Sequence, residues 1–258
     1  MTPTLTWRRT RPIHLMIATT MLAGPASAVA LTTGAAAPET AAGTQPTDAP
    51  GPLNLNVSPR RIRFGANVTV TGATRATDAG RTHSFAVLAG QAIDVRGTLR
   101  PGIAGRSVHL QGRSGRRWND LASAHTGSRG GFDLHFVPGD RGGAGSSVGS
   151  HALRLLFSGD RANARSWRGI GQLTVYNQSV ASWYDDAGGT ASGFHATFGV
   201  ANRTLPFGTK VMFRYGARSV TAVVDDRGPF VSGRDWDLNQ NTAAALGFSG
   251  VGTVWSTM

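Results

Sequence analysis

Lys210-Val-Met-Phe-Arg-Tyr-Gly-Ala-Arg-Ser-Val-Thr-Ala-Val-Val-Asp-Asp-Arg-Gly-Pro-Phe230 reads as two strands and a turn. Val211, Phe213 and Tyr215 sit two apart, the period at which side chains share one face of a strand. Val220 to Val224 is a second β-rich run, and Gly216-Ala-Arg-Ser is a connection short enough for a hairpin. Asp225-Asp226-Arg-Gly-Pro then takes the chain out of the second strand into a turn. Downstream, Asn239 can cap a short helix from Thr242 to Leu246 that Gly247 closes, and Val251 to Trp255 is a last strand. A small twisted barrel with one or two helices accommodates this pattern.

Composition narrows the chemistry. The chain has 258 residues, no cysteine, 35 Gly and 12 Pro, so turns and short strands are expected rather than long helices. Disulfides, thiol catalysis and Cys-based zinc sites are excluded. Of 14 acidic residues 13 are Asp, and the single Glu, Glu39, lies in a linker-like stretch, so carboxylate chemistry must use Asp. No metal-ligand spacing, Walker-type loop or nucleotide fingerprint is present, so no metal and no cofactor are implied.

The N-terminus reads as an export signal over residues 1–28. Arg8, Arg9 and Arg11 precede an apolar run from Ile13 to Ala23, and Ala26-Ser27-Ala28 gives a cleavage pattern. No cysteine follows it, so a secreted, extracytoplasmic protein is expected rather than a lipoprotein. Residues 29–53 form an Ala/Thr/Pro-rich tether. Without residues 1–28, 23 basic and 14 acidic residues leave net charge +9, all of it in the tether and the segment after it, because residues 179–258 carry six of each sign.

Residues 54–177 contain recurrent period-two runs: Val68/Val70, Ile93/Val95, Val108/Leu110, Phe132/Leu134/Phe136, Leu153/Leu155/Phe157 and Leu173/Val175. Short strands with regular turn signals predict a β-sandwich. Arg96-Gly-Thr-Leu, Val108-His-Leu-Gln, Trp118, Gly131-Phe-Asp-Leu and Leu155-Leu-Phe-Ser-Gly-Asp160 resemble bacterial Ig-like modules of secreted proteins. The basic balance of this segment suits an anionic polymer such as DNA, a membrane or a cell-wall polyanion, or a plain solvated Arg-rich surface; of the polymers the wall polyanion is expected and nucleic acid is not. Its five His lack metal spacing.

Residues 179–258 resemble the rare-lipoprotein-A (RlpA) family. The likeness rests on Ala181-Ser-Trp-Tyr184, Arg203-Thr-Leu-Pro-Phe-Gly-Thr209, Asp226-Arg-Gly-Pro-Phe230, Gly233-Arg-Asp-Trp-Asp-Leu238 and Gly247-Phe-Ser-Gly-Val-Gly252. It implies a six-stranded double-psi β-barrel with short helices, related to the first domain of expansins. The whole chain is then mainly β, an Ig-like sandwich followed by that barrel. The resemblance also implies action on peptidoglycan or another wall glycan, as a lytic transglycosylase cleaving between N-acetylmuramic acid and N-acetylglucosamine. The alternative is a non-hydrolytic, expansin-like binder of wall polysaccharide. A monomer is expected.

Asp226 matches the family's catalytic aspartate. Val223-Val224 and Pro229-Phe230 flank it with apolar residues, an environment that would let a carboxyl keep a proton; the same sequence is also a turn in which Asp226 accepts backbone N–H bonds. Asp237 matches a second aspartate, to orient the sugar or share the proton, or it serves entry to the helix near Asn239. Trp183 and Tyr184 stack on sugar or pack in the core. Thr190 and His195 are candidate substrate contacts, and Arg227 pairs with Asp226 or Asp237 or meets substrate carboxylates. Asp225 and Asp235 are expected in solvent. Three departures from the family pattern stand out. Phe194-His-Ala-Thr-Phe198 replaces a Glu-containing segment, Asn202 stands where the family has His, and Ser192 and Phe207 occupy positions that pair as cysteines in some secreted relatives.

Overall fold

The computed structural model describes residues 61–76, 83–139, 146–185 and 188–258. The expected signal peptide and tether lie outside them. The described residues belong to one compact unit.

Fifteen strands and one α-helix make up the described residues, a mainly β protein. The first nine strands are β1 (Arg63–Phe64), β2 (Thr69–Thr71), β3 (Thr74–Ala76), β4 (Ser84–Leu88), β5 (Ile93–Arg100), β6 (Ser107–Ser114), β7 (Arg117–His125), β8 (Gly131–Phe136) and β9 (Gly149–Phe157). In one sheet β5 pairs with β8, β1 and β2; in the other the order is β3-β4-β10-β9-β6-β7, where β10 spans Ser166–Tyr184. The period-two residues form one buried cluster fed by both sheets: Val95, Leu99, Phe132 and Leu134 from the first, Val87, Leu110, Leu153, Leu155 and Leu173 from the second. Each such side chain stabilises the fold by about 1.5–3 kcal/mol on leaving water.

The second half closes on itself. β11 (Gly199–Ala201), β12 (Lys210–Tyr215), β13 (Arg218–Asp226), β14 (Trp236–Asn239) and β15 (Gly252–Ser256) join the C-terminal part of β10 in the cyclic order β10-β14-β11-β13-β12-β15. The ring closes because β10 pairs in parallel with β14 and antiparallel with β15. The expected hairpin is present: Tyr215 pairs with Arg218 around Gly216-Ala217. Inside lie Val200, Val211, Phe213, Ala222, Val224, Trp236, Leu238 and Val254, with Phe213 edge-on to Trp236 at 5.0 Å. Helix α1 (Gln240–Leu246) seals one side. Asn239 caps it, its side chain accepting from the Thr242 N–H, and Gly247 ends it in the left-handed conformation that glycine adopts without strain.

The two halves share β10. Its first part pairs with β4 and β9, its last part with β14 and β15, without interruption. The 177–179 boundary read from the sequence therefore falls within a hydrogen-bonded strand. Tyr176 sits at the join, its hydroxyl bonding the Met212 sulfur and its ring 5.9 Å from Trp255.

Candidate functional site

The strand registers set four residues side by side across the barrel wall. Asp226 on β13 pairs with Ala201 on β11, Ala201 with Asp237 on β14, and Asp237 with Ser182 on β10. Two strand spacings separate Asp226 from Asp237, about 10 Å between backbones. Trp236 and Leu238 point into the core, so alternation turns Asp237 outward; Val200 and Ala201 divide in the same way. Ser182 donates to Asp237 Oδ1 at 2.7 Å, which fixes that carboxylate. Asp237 thus bonds β10 rather than serving the helix, whose cap is Asn239. Ala201 has only a methyl group, and Gly228 passes close by: a Cβ there would lie 3.8 Å from the Ala201 Cβ.

A β-bulge creates the aspartate end of this row. Between Val200/Val224 and Ala201/Asp226 the register skips Asp225. A bulge re-aims the side chains around it. Asp225 turns under the barrel edge and is 1% exposed, where Ala196 N–H donates to Oδ2 and Val200 N–H to Oδ1. Gly199 makes that possible, because a Cβ at 199 would stand 2.4 Å from Asp225 Oδ2. Asp226, half-buried, is left at the rim. Its Oδ1 accepts from the Ala191 and Arg227 backbones, both at 2.8 Å, and no bond among the described residues uses Oδ2.

Two expectations are corrected here. Asp225 and Asp226 remain in β13 instead of leaving it for a turn, and Asp225 is buried, not solvated. Desolvation pushes its carboxyl above the ordinary carboxylate value, against the backbone donors that favour its charged form. Phe230, which flanks Asp226 in the sequence, is 83% exposed. Asp235 is exposed as expected, yet its carboxylate accepts from the Val180 N–H.

The remaining candidates fall into two groups. Thr190 and Tyr184 lie by the row. Thr190 precedes the Ala191 amide that holds Asp226, and its hydroxyl donates to the Phe194 carbonyl. Tyr184, half-buried, pairs with Asn239, two residues along β14 from Asp237 and so on the same face. Trp183 points to the other face and is 42% exposed. His195 is exposed in the loop that folds over the end of β13. Arg227 pairs with neither aspartate: its guanidinium donates to the Asn202 and Leu205 carbonyls and lies 3.6 Å from the Phe207 ring centroid. It braces the 202–207 loop. Sequence reasoning missed Ser182 and the exposed Phe230; an apolar Phe230-Val231 pair in a Gly/Ser/Arg loop was the available signal for the latter. Among the described residues no three His, Asp or Glu side chains are grouped to hold a metal ion.

Residues 176–255 match the family model described as "Lytic transglycolase". Three curated proteins, each named probable endolytic peptidoglycan transglycosylase RlpA, are similar to this region. They are from Synechocystis sp. (40% identical, covering 29% of this chain and 26% of the relative), Nostoc sp. (39%; 29% and 23%) and Aquifex aeolicus (39%; 31% and 38%).

The C-terminal part is an RlpA-like double-psi β-barrel.

The chain spans about a quarter to two-fifths of the length of these relatives. Within the RlpA-like barrel, Asn202 has a local task. Its side-chain oxygen accepts from the Thr204 and Leu205 amides, an Asx-type turn that starts the Arg203-Thr-Leu-Pro loop. Arg203 then donates to the Pro229 and Arg234 carbonyls, tying that loop to the one beyond Asp226.

Proposed function

We propose that this protein acts on peptidoglycan outside the cytoplasm as a lytic transglycosylase, with Asp226 as its acid/base. The observation that carries this reading is the position of Asp226 at the rim of an RlpA-like barrel, one oxygen anchored by backbone N–H groups and the other clear of described bonds. Protonated Oδ2 donates to the bridging oxygen as the bond from muramic acid C1 breaks. The resulting carboxylate takes the proton of the same sugar's C6 hydroxyl as O6 attacks C1. A 1,6-anhydro end forms, Asp226 ends protonated as it began, and no water is consumed. In this reading Asp237, held by Ser182, orients the sugar, and Tyr184, Thr190 and Phe230 contact it. The two sheets that share the first buried cluster support an Ig-like sandwich for the N-terminal half.

The test incubates the protein with peptidoglycan and follows soluble anhydro-muropeptides by mass spectrometry. Asp226→Asn is expected to lower their release by about 100-fold or more; undiminished release overturns the assignment. A second reading, glycan binding without cleavage, is favoured by the 188–198 loop, which carries His195 but no carboxylate. Absence of anhydro products with the protein still sedimenting on the wall selects that reading.

A further inference from the structure

The outer face of the sheet β4-β10-β9-β6-β7 carries an ordered polar and aromatic array that the barrel's chemistry does not use. On β9, Leu153 and Leu155 enter the core, so Arg154 points outward. Its lateral neighbours are Gln111 on β6 and Gly169 on β10. Arg154 Nε donates to Gln111 Oε1 at 2.8 Å, and Gln111 Nε2 donates to Asp120 Oδ1 at 2.6 Å. The guanidinium lies 4.1 Å from the Trp118 ring centroid. Stacked and tethered through Nε, it stands in one orientation, and no bond among the described residues uses its two terminal nitrogens.

Beside this cation is an open shelf. A Cβ at Gly169 would meet no atom within 4 Å, and its backbone is outside the left-handed region. Trp167, two residues earlier on β10 and on the same face, is 63% exposed, the most exposed tryptophan among the described residues. Desolvation disfavours the charge of Arg154, the nearby Arg165 disfavours it further, and Asp120 offsets part of this. Arg113, exposed on β6, adds a third cation, and among the described residues Asp120 is the carboxylate bonded within this array. Over residues 61–177 the described positions hold 14 Arg and four Asp, while residues 179–258 are neutral. An exposed ring and a planar cation fork across a side-chain-free gap match a ligand that has a flat apolar face and a negative charge on the same unit.

We propose that this face binds an acidic polysaccharide whose carboxylates sit on its pyranose rings, with Trp167 stacked on one ring and the terminal nitrogens of Arg154 on a carboxylate across the Gly169 shelf. A phosphodiester-linked polyol lacks the ring face, and a neutral glycan leaves the Arg154–Arg165 pair uncompensated. The assignment stands apart from the barrel's proposed activity.

The full chain is run in native affinity gels containing polygalacturonate, neutral dextran or single-stranded oligothymidylate. The expected result is retardation by polygalacturonate alone, weakened by salt as the screening length shortens. Trp167→Ala and Gly169→Asp are each expected to weaken it by about tenfold, equivalent to about 1.4 kcal/mol. Both substitutions are at exposed positions, and circular dichroism checks that the fold persists. Absence of retardation, equal retardation by dextran, or full binding by both variants overturns the proposal. Stronger retardation by the oligonucleotide also overturns it, and assigns the face to nucleic acid.

Discussion

The two halves of this protein are built on the same strand and follow different rules. In residues 61–176 the neighbours of a strand are mostly antiparallel, and the apolar alternation that fills the core runs along whole strands such as β8 and β9. In the barrel, parallel pairs β10–β14 and β11–β13 bring together segments far apart in sequence. Its candidate chemistry lies where alternation fails, at the β13 bulge that sends Asp225 inward and Asp226 to the rim. Regular pattern builds the frame; a one-residue irregularity sets the carboxylate.

The strongest test of this comparison asks whether the halves are separable at all. Leu155 is fully buried in the first cluster and Phe213 in the barrel. Leu155→Ala is expected to cost about 2–5 kcal/mol and Phe213→Ala about 3–5 kcal/mol. Because β10 belongs to both sheets, either variant should lower one common unfolding transition in scanning calorimetry. Two transitions, each moved only by its own variant, would show that the shared strand does not couple them.

A smaller effect is expected at the bulge. In Gly199→Ala the new methyl collides with the Asp225 carboxylate. Displacing that group leaves the Ala196 and Val200 amides without their acceptor, a loss of about 1–3 kcal/mol. The urea midpoint reads the size, and faster amide exchange at those two residues reads the place. Unchanged protection there would remove Gly199 from the argument. Smaller again is Asn239→Ala, about 1 kcal/mol from the lost cap, detected as a lower urea midpoint with earlier exchange of the Thr242 amide.

How much of this was legible in the sequence follows from the same contrast. The β12–β13 hairpin, the Asn239 cap and the Gly247 stop depend on neighbours a few residues away, and the sequence predicts them. The side-by-side placement of Asp226, Ala201, Asp237 and Ser182 depends on barrel closure, which no local period encodes; the family motifs supplied Asp226 and Asp237 but not Ser182. Asp225 looked solvated because two adjacent aspartates before Arg-Gly-Pro suit an exposed turn. Its burial needs a glycine 26 positions earlier and two backbone amides, Ala196 from the preceding loop and Val200 from β11. Arg227 looked like an acid's partner because opposite charges are adjacent in sequence, whereas carbonyls and the Phe207 ring claim it.

The finest prediction sets one aspartate from each half against the other. Asp160, in the two-sheet half, has its carboxyl held below the ordinary value of 3.8, chiefly by the Asn163 side chain. Its stabilising contribution is complete above that pH and is lost as pH falls below it. Asp225, in the barrel, is shifted the other way by desolvation. The folded state then binds its proton more tightly than the unfolded chain, so stability is greatest with the group protonated and declines as pH rises from 3.8 toward the raised value. Urea unfolding in steps upward from that pH should show the decline in the parent protein. In Asp225→Asn, overall stability drops because an amide replaces one of the two accepting oxygens, yet the decline with pH should flatten. In Asp160→Asn the decline should persist, since that group has finished titrating. An unchanged slope in Asp225→Asn would mean that the buried aspartate carries its charge at no cost, and that the bulge determines only where Asp226 stands.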